Sequence, residues 1–117
     1  MLSFSGSLKV FVAVEPCDMR RSFNGLHDAV TTRLQEDPRS GSIFAFTNKR
    51  RTLLKILYWD GSGLWVLAKR LEKGTFAWPK GTDIKDGKLR LTATALAMLL
   101  DGIDMRHGCE RPWYQLV

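Results

Sequence analysis

Apolar residues along the chain fall into two rhythms, one of period two and one near three and a half, and their alternation sketches the fold. Ile43 to Thr47, Leu53 to Trp59 and Leu64 to Leu71 are rich in β-branched and aromatic residues and predict three antiparallel strands in a meander. The polar break Asn48-Lys49-Arg50-Arg51 makes the first hairpin loop. The second reversal is Asp60-Gly61-Ser62-Gly63, whose glycines supply the positive φ angles that a tight turn needs.

Ahead of the meander, Leu8 to Val14 is a short apolar run ended by Glu15-Pro16 and predicts a buried strand. Phe23, Leu26, Val30 and Leu34 then recur at helical spacing, with Asp18 as the expected N-cap and all four apolar side chains expected on the sheet. Gly25 costs such a helix about 1 kcal/mol against Ala, which a close helix-to-strand approach would compensate. Asp37-Pro38 and Ser40-Gly41 end the helix.

Beyond the meander, Thr75 to Trp78 is a short extended piece stopped by Pro79, and Lys80 to Gly87 is a loop. Lys88 to Leu91 is a further strand, and Thr92 caps a helix over Ala93 to Leu100 that Gly102 ends. The expected fold is α+β, a mostly antiparallel sheet built on the β-meander and packed against two α-helices. It is expected to form a single domain over residues 1–117, with an ordered core over about 7–104 and a poorly ordered tail at 105–117, where Trp113 and Tyr114 could dock.

Strand alternation sorts the meander side chains into faces. Leu54, Ile56 and Tyr58 share one face of their strand and Leu53, Lys55, Leu57 and Trp59 the other, while Trp65, Leu67, Lys69 and Leu71 share a face of the next. Both faces are partly apolar. The expectation is that one packs on the two helices and the other is covered by the N-terminal strand or by Phe76 to Trp78. The alternative is an exposed patch that docks a protein or stacks bases.

Charge changes the picture more than composition does. Hydrophobic content of 44% and charged content of 26% are ordinary for a globular chain, so the excess of 18 basic over 12 acidic residues sits on a folded surface. Lys49, Arg50, Arg51, Lys55, Lys69, Arg70 and Lys73 lie in or just after the meander against only Asp60 and Glu72. These seven are the candidate nucleic-acid-binding residues, with Arg20 and Arg21 as auxiliaries. Composition does not separate this reading from one in which the charges merely solvate the sheet's open face and edges.

Other chemistry finds little support. Asp18, Asp60, Asp101 and Asp104 are the carboxylates that a two-metal nuclease would gather, yet each has a simpler reading as a helix cap, a turn residue or a helix border. Cys17, His27, His107 and Cys109 have no structural zinc spacing, and no metal or cofactor is expected. Neither a P-loop nor a nucleophile elbow is present. Two distant cysteines and the lack of a signal peptide or an apolar run of about 18 residues give a cytoplasmic expectation with no membrane partner.

Five blocks carry a family resemblance: Asp18-Met19-Arg20; Leu54 to Gly63, with Trp59, Asp60, Gly61 and Gly63; Ala68 to Gly74; Phe76 to Pro79, with Trp78 and Pro79; and Leu100 to Asp104. In order and spacing, over roughly Lys9 to Asp104, the chain resembles the accessory proteins (TnpB, the second open reading frame) of the insertion sequence sixty-six family. The loop at Asn48 to Arg51 departs from that pattern, which has more glycine there, and the tail after His107 is variable. The resemblance implies a bacterial mobile-element protein, not an enzyme, encoded beside a larger transposase and needed for efficient transposition. It is distinct from the RNA-guided nuclease that shares the name TnpB. Implied partners are DNA at the element ends and the transposase. Two modes of action stay open: DNA binding through the basic hairpin surface, or a protein adaptor for the transposase without direct DNA contact. The oligomeric state is not readable.

Overall fold

The computed structural model describes residues 8–79 and 87–102 and the backbone of 114–115. The expectations for the loop over 80–86 and for Ile103, Asp104, His107 and Cys109 lie outside these residues. Six strands and two helices follow in the order β1 (Val10–Ala13), α1 (Phe23–Thr32), β2 (Ile43–Thr47), β3 (Leu53–Trp59), β4 (Leu64–Arg70), β5 (Lys88–Leu91), α2 (Ala93–Leu100) and β6 (Tyr114–Gln115). They form an α+β fold around one sheet of order β4-β3-β2-β1-β5-β6. Only β1 and β2 run parallel, joined through α1; every other pairing is antiparallel. Within the segment expected as tail, Tyr114 pairs with Leu91, which adds β6 to the sheet.

The apolar alternation builds two cores. Val10, Val12, Ile43, Ala45, Leu54 and Ile56 point to one side, where Leu96, Leu99 and Leu100 of α2 join Phe76 and Trp78. Phe11, Ala13, Phe44, Phe46 and Leu57 point to the other, against Leu26, Ala29 and Val30 of α1. The helices therefore lie on opposite faces, correcting the expectation that both share one. Nor does the N-terminal strand cover a face, because β1 sits inside the sheet between β2 and β5. Phe76 to Trp78 does act as a cover, on the α2 side, where the fully buried Trp78 indole donates to the Ala13 carbonyl at 2.8 Å.

Three expectations for α1 are also corrected. Ser22, not Asp18, occupies the N-cap, and its side chain makes no capping bond. Asp18 is taken up instead by Arg20, whose backbone N–H and guanidinium both donate to it. Leu26, Val30 and Leu34 are buried as expected, but Phe23, at the first helical position, is 48% exposed. The missing Cβ at Gly25 makes room for Arg21, whose own Cβ would lie 2.8 Å away, rather than for a strand. By contrast, α2 is capped as its sequence predicts, with Thr92 Oγ1 accepting from the Ala95 amide at 3.0 Å and Gly102 closing the end at φ +78°.

Asp60 organises the β3–β4 reversal. One carboxylate oxygen accepts from the Ser62 amide and hydroxyl and from the Gly63 amide, and the other accepts from the Trp65 indole at 2.7 Å. The Trp65 bond, followed by those from Ser62 and Gly63, holds the carboxyl well below the usual carboxylate range. No helix among the described residues is long and apolar enough to cross a membrane.

Two outcomes are expected. Leu26→Asp buries an unpaired carboxylate at a cost of several kcal/mol, comparable to a domain's whole stability, so the variant should be unfolded or insoluble. Phe23→Asp, at the exposed end of the same stripe, should melt close to wild type. Equal behaviour of the two in solubility and thermal melting would refute this placement of α1. For Asp60, the folded carboxyl keeps its charge to lower pH than the unfolded one. The stabilisation is therefore complete above about pH 4 and is lost as pH falls toward the folded value. Melting temperatures of wild type and Asp60→Ala should differ most near neutrality and converge in strong acid; a gap independent of pH would count against the carboxylate.

Candidate nucleic-acid interface

Strand direction decides where the basic residues meet. Because β1 and β2 are parallel, they end on the same side of the molecule, where β3 begins, β4 finishes and β5 begins. Three connections therefore converge there: the segment after β1, the β2–β3 loop, and the chain leaving β4. Cross-links hold them together. The Cys17 amide donates to the Thr47 carbonyl at 2.8 Å, that of Leu71 to Thr52 at 3.0 Å, and that of Phe76 to Arg51 at 2.7 Å.

The β2–β3 loop is built on Asn48. Its side-chain oxygen accepts from the amides of Thr52 and Leu53, and its side-chain nitrogen donates to the Thr52 hydroxyl at 3.1 Å. Arg51 takes φ +58°, a left-handed conformation that glycine adopts at less cost. That geometry turns the chain into β3. It leaves Lys49 and Arg50 exposed at the tip of a pinned loop.

Of the seven candidate residues, five share this end: Lys49, Arg50 and Arg51 in the loop, Arg70 at the close of β4, paired with Leu53, and Lys73 just beyond. Arg20 and Arg21 arrive beside them on the segment after β1. Acids are present too. Asp18 binds the 92% exposed Arg20 at 2.8 Å, and this bond is the main reason its carboxyl is lowered to about 2. Glu15 and Glu72 are exposed on the neighbouring connections.

Lys55 and Lys69 are placed differently. The Lys55 ammonium donates to the Arg21 carbonyl at 2.8 Å and ties β3 to the entry of α1. Lys69 donates to the Leu100 carbonyl at the end of α2, a favourable place for a cation. Both are internal ties as well as charges. A third lysine tie has no local sequence signal: Lys88 is buried, donates to the Leu34 carbonyl and to Glu36, and lies 5.7 Å from the centroid of the Phe11 ring.

The family-motif residues divide between the two ends of the sheet. Asp18, Met19, Arg20, Trp78 and Pro79 belong to the basic end. Asp60, Gly61 and Gly63 form the opposite turn, beside Trp59, whose ring lies 5.2 Å from the Arg39 guanidinium. Asp18 and Asp60 thus lie at opposite ends of the sheet, too far apart to share a metal ion. Asp101 closes α2, and among the described residues no group of His, Cys, Asp and Glu could hold a metal. Cys17 is buried on the α1 side.

Similarity to known proteins agrees with the sequence motifs. Two relatives come from Sinorhizobium fredii (strain NBRC 101917 / NGR234). "Uncharacterized protein y4jC" is 38% identical over 112 residues, covering 96% of this chain and 93% of that protein. "Uncharacterized protein y4hO" is 35% identical over 110 residues, covering 94% and 93%. No solved structure matches the chain. The family model described as "IS66 Orf2 like protein" matches residues 8–110, nearly the whole chain, so the protein belongs to this insertion-sequence family and is associated with transposition.

Proposed function

We propose that the protein is a non-catalytic accessory factor of DNA transposition that holds the DNA backbone with the basic end of its sheet. The observation that supports this most is the convergence of Lys49, Arg50, Arg51, Arg70 and Lys73 on one end, with Arg21 alongside, from connections fixed to one another by backbone bonds. Flexible, exposed cations bind phosphate weakly because ordering them costs entropy, and a pinned loop lowers that cost. Contacts of this kind set position without reading bases, so sequence choice would come from elsewhere in the transposition complex. Trp65, 55% exposed, favours a second reading in which the protein docks another protein, the transposase above all, and its charges are secondary.

Binding to an element-end duplex and to a scrambled duplex, measured at several salt concentrations, tests the DNA reading. Lys49→Glu with Arg50→Glu should leave folding nearly intact, within about 0.5 kcal/mol per site. The double variant should bind both duplexes more weakly, and its slope of log affinity against log salt should be shallower by about 0.9 for each lost contact. Unchanged affinity and slope would remove the loop as a DNA contact. Transposition lost with DNA binding intact would move the function to the adaptor reading.

A non-catalytic role carries its own test. Pure protein with magnesium or manganese should leave supercoiled and single-stranded DNA intact. Cleavage that disappears in a folded Asp101→Ala variant would overturn the accessory reading.

A further inference from the structure

β4 closes one side of the sheet, and among the described residues no strand pairs with its outer edge. Which of its backbone groups face outward follows from the β3–β4 ladder. The Asp60 amide bonds to the Gly63 carbonyl at one limit, and the Leu71 amide bonds to the Thr52 carbonyl at the other. Antiparallel pairs alternate between bonded and non-bonded, so Trp65, Leu67 and Lys69 bond to β3 while Leu64, Val66, Ala68 and Arg70 direct their N–H and C=O groups away from it. Leu64 to Ala68 is an uncharged apolar run, guarded only at its end by Lys69 and Arg70. Half-buried Leu64, Val66 and Leu67 and exposed Trp65 add apolar surface along this edge.

We propose that the outer edge of β4 pairs antiparallel with β4 of a second copy of the chain, about a twofold axis at Leu67. Only that register uses all four outward-facing residues, setting Leu64 opposite Arg70 and Val66 opposite Ala68 in both halves. The same register places Lys69 of each copy opposite Trp65 of the other. That indole is already bonded through its N–H to the ionised Asp60, and the Lys69 ammonium to the Leu100 carbonyl, so the pairing sets a tethered cation beside an aromatic ring that carries a carboxylate. No like charges are directly opposed, and the contact is self-complementary, as a twofold interface requires. Every other register that bonds the edge pairs fewer of its groups. The proposal does not depend on DNA contact.

Sedimentation velocity of the full-length protein, from micromolar to millimolar concentration, is expected to show a reversible monomer–dimer equilibrium. The Ala68 amide points away from β3, so Ala68→Pro leaves the internal ladder intact and removes one intermolecular bond in each half. It should weaken the dimer by about tenfold or more. Ala68→Lys keeps every backbone group but brings two lysines together diagonally across the axis, and should weaken the dimer similarly; it decides the matter if the proline variant melts below wild type. A wild type that remains monomeric throughout overturns the proposal. So does a dimer whose affinity is unchanged in a folded Ala68→Lys variant.

Discussion

The parallel pairing of β1 with β2 governs the rest of the molecule. A parallel neighbour cannot be reached by a tight turn, so the chain must cross one face of the sheet, and α1 is that crossing. Once α1 covers one face, the apolar residues of β1 that point the other way need a separate cover, and α2 with Phe76 and Trp78 provides it. All four residues of β1 are buried, as expected for a strand enclosed on both faces and flanked on both edges. The Trp78 indole bonded to the Ala13 carbonyl fastens the second cover to the strand that requires it.

The same topology concentrates charge. Five of the seven basic residues scattered through a quarter of the sequence become an end of the molecule because β3 starts where β4 stops. The return of the chain beside the Asn48 loop then fixes their backbones. Lysine does two jobs here: Lys55, Lys69 and Lys88 each satisfy a backbone carbonyl on another element, joining the sheet to helix ends on both faces. Their long stems can cross apolar surface while the ammonium reaches a polar partner. The cationic character of the chain is therefore partly structural and partly superficial.

Features set by neighbouring residues were legible in the sequence. Ile43–Thr47, Leu53–Trp59 and Lys88–Leu91 appear with the boundaries their alternation predicts, and Thr92 caps α2 as its position before an apolar run implies. Features set by competition or by distant partners were not. Asp18 has the chemistry of a helix cap, but a guanidinium two residues away engages the carboxylate first, and the helix starts later. Phe23 fits the helical stripe by spacing, but spacing does not tell where the stripe overhangs the sheet. The apolar run of β1 is compatible with either face, so the side taken by each helix was unreadable. For the site, the charges themselves were visible. Their sharing of one end follows from strand order, and the carbonyl partners of Lys55 and Lys69 have no local signature.

The central position of β1 also bears on the order in which the protein is assembled on the ribosome. β1 precedes every other described strand, yet its two neighbours arrive far apart: Ile43 completes one side of Val10, and Leu91 the other only after the whole meander has been made. The meander has short connections and can close early, whereas β1 waits with an apolar edge uncovered. A nascent chain stalled between β4 and β5 would thus hold a formed hairpin stack beside an unfinished centre, the species most exposed to chaperone capture or to mispairing with another chain.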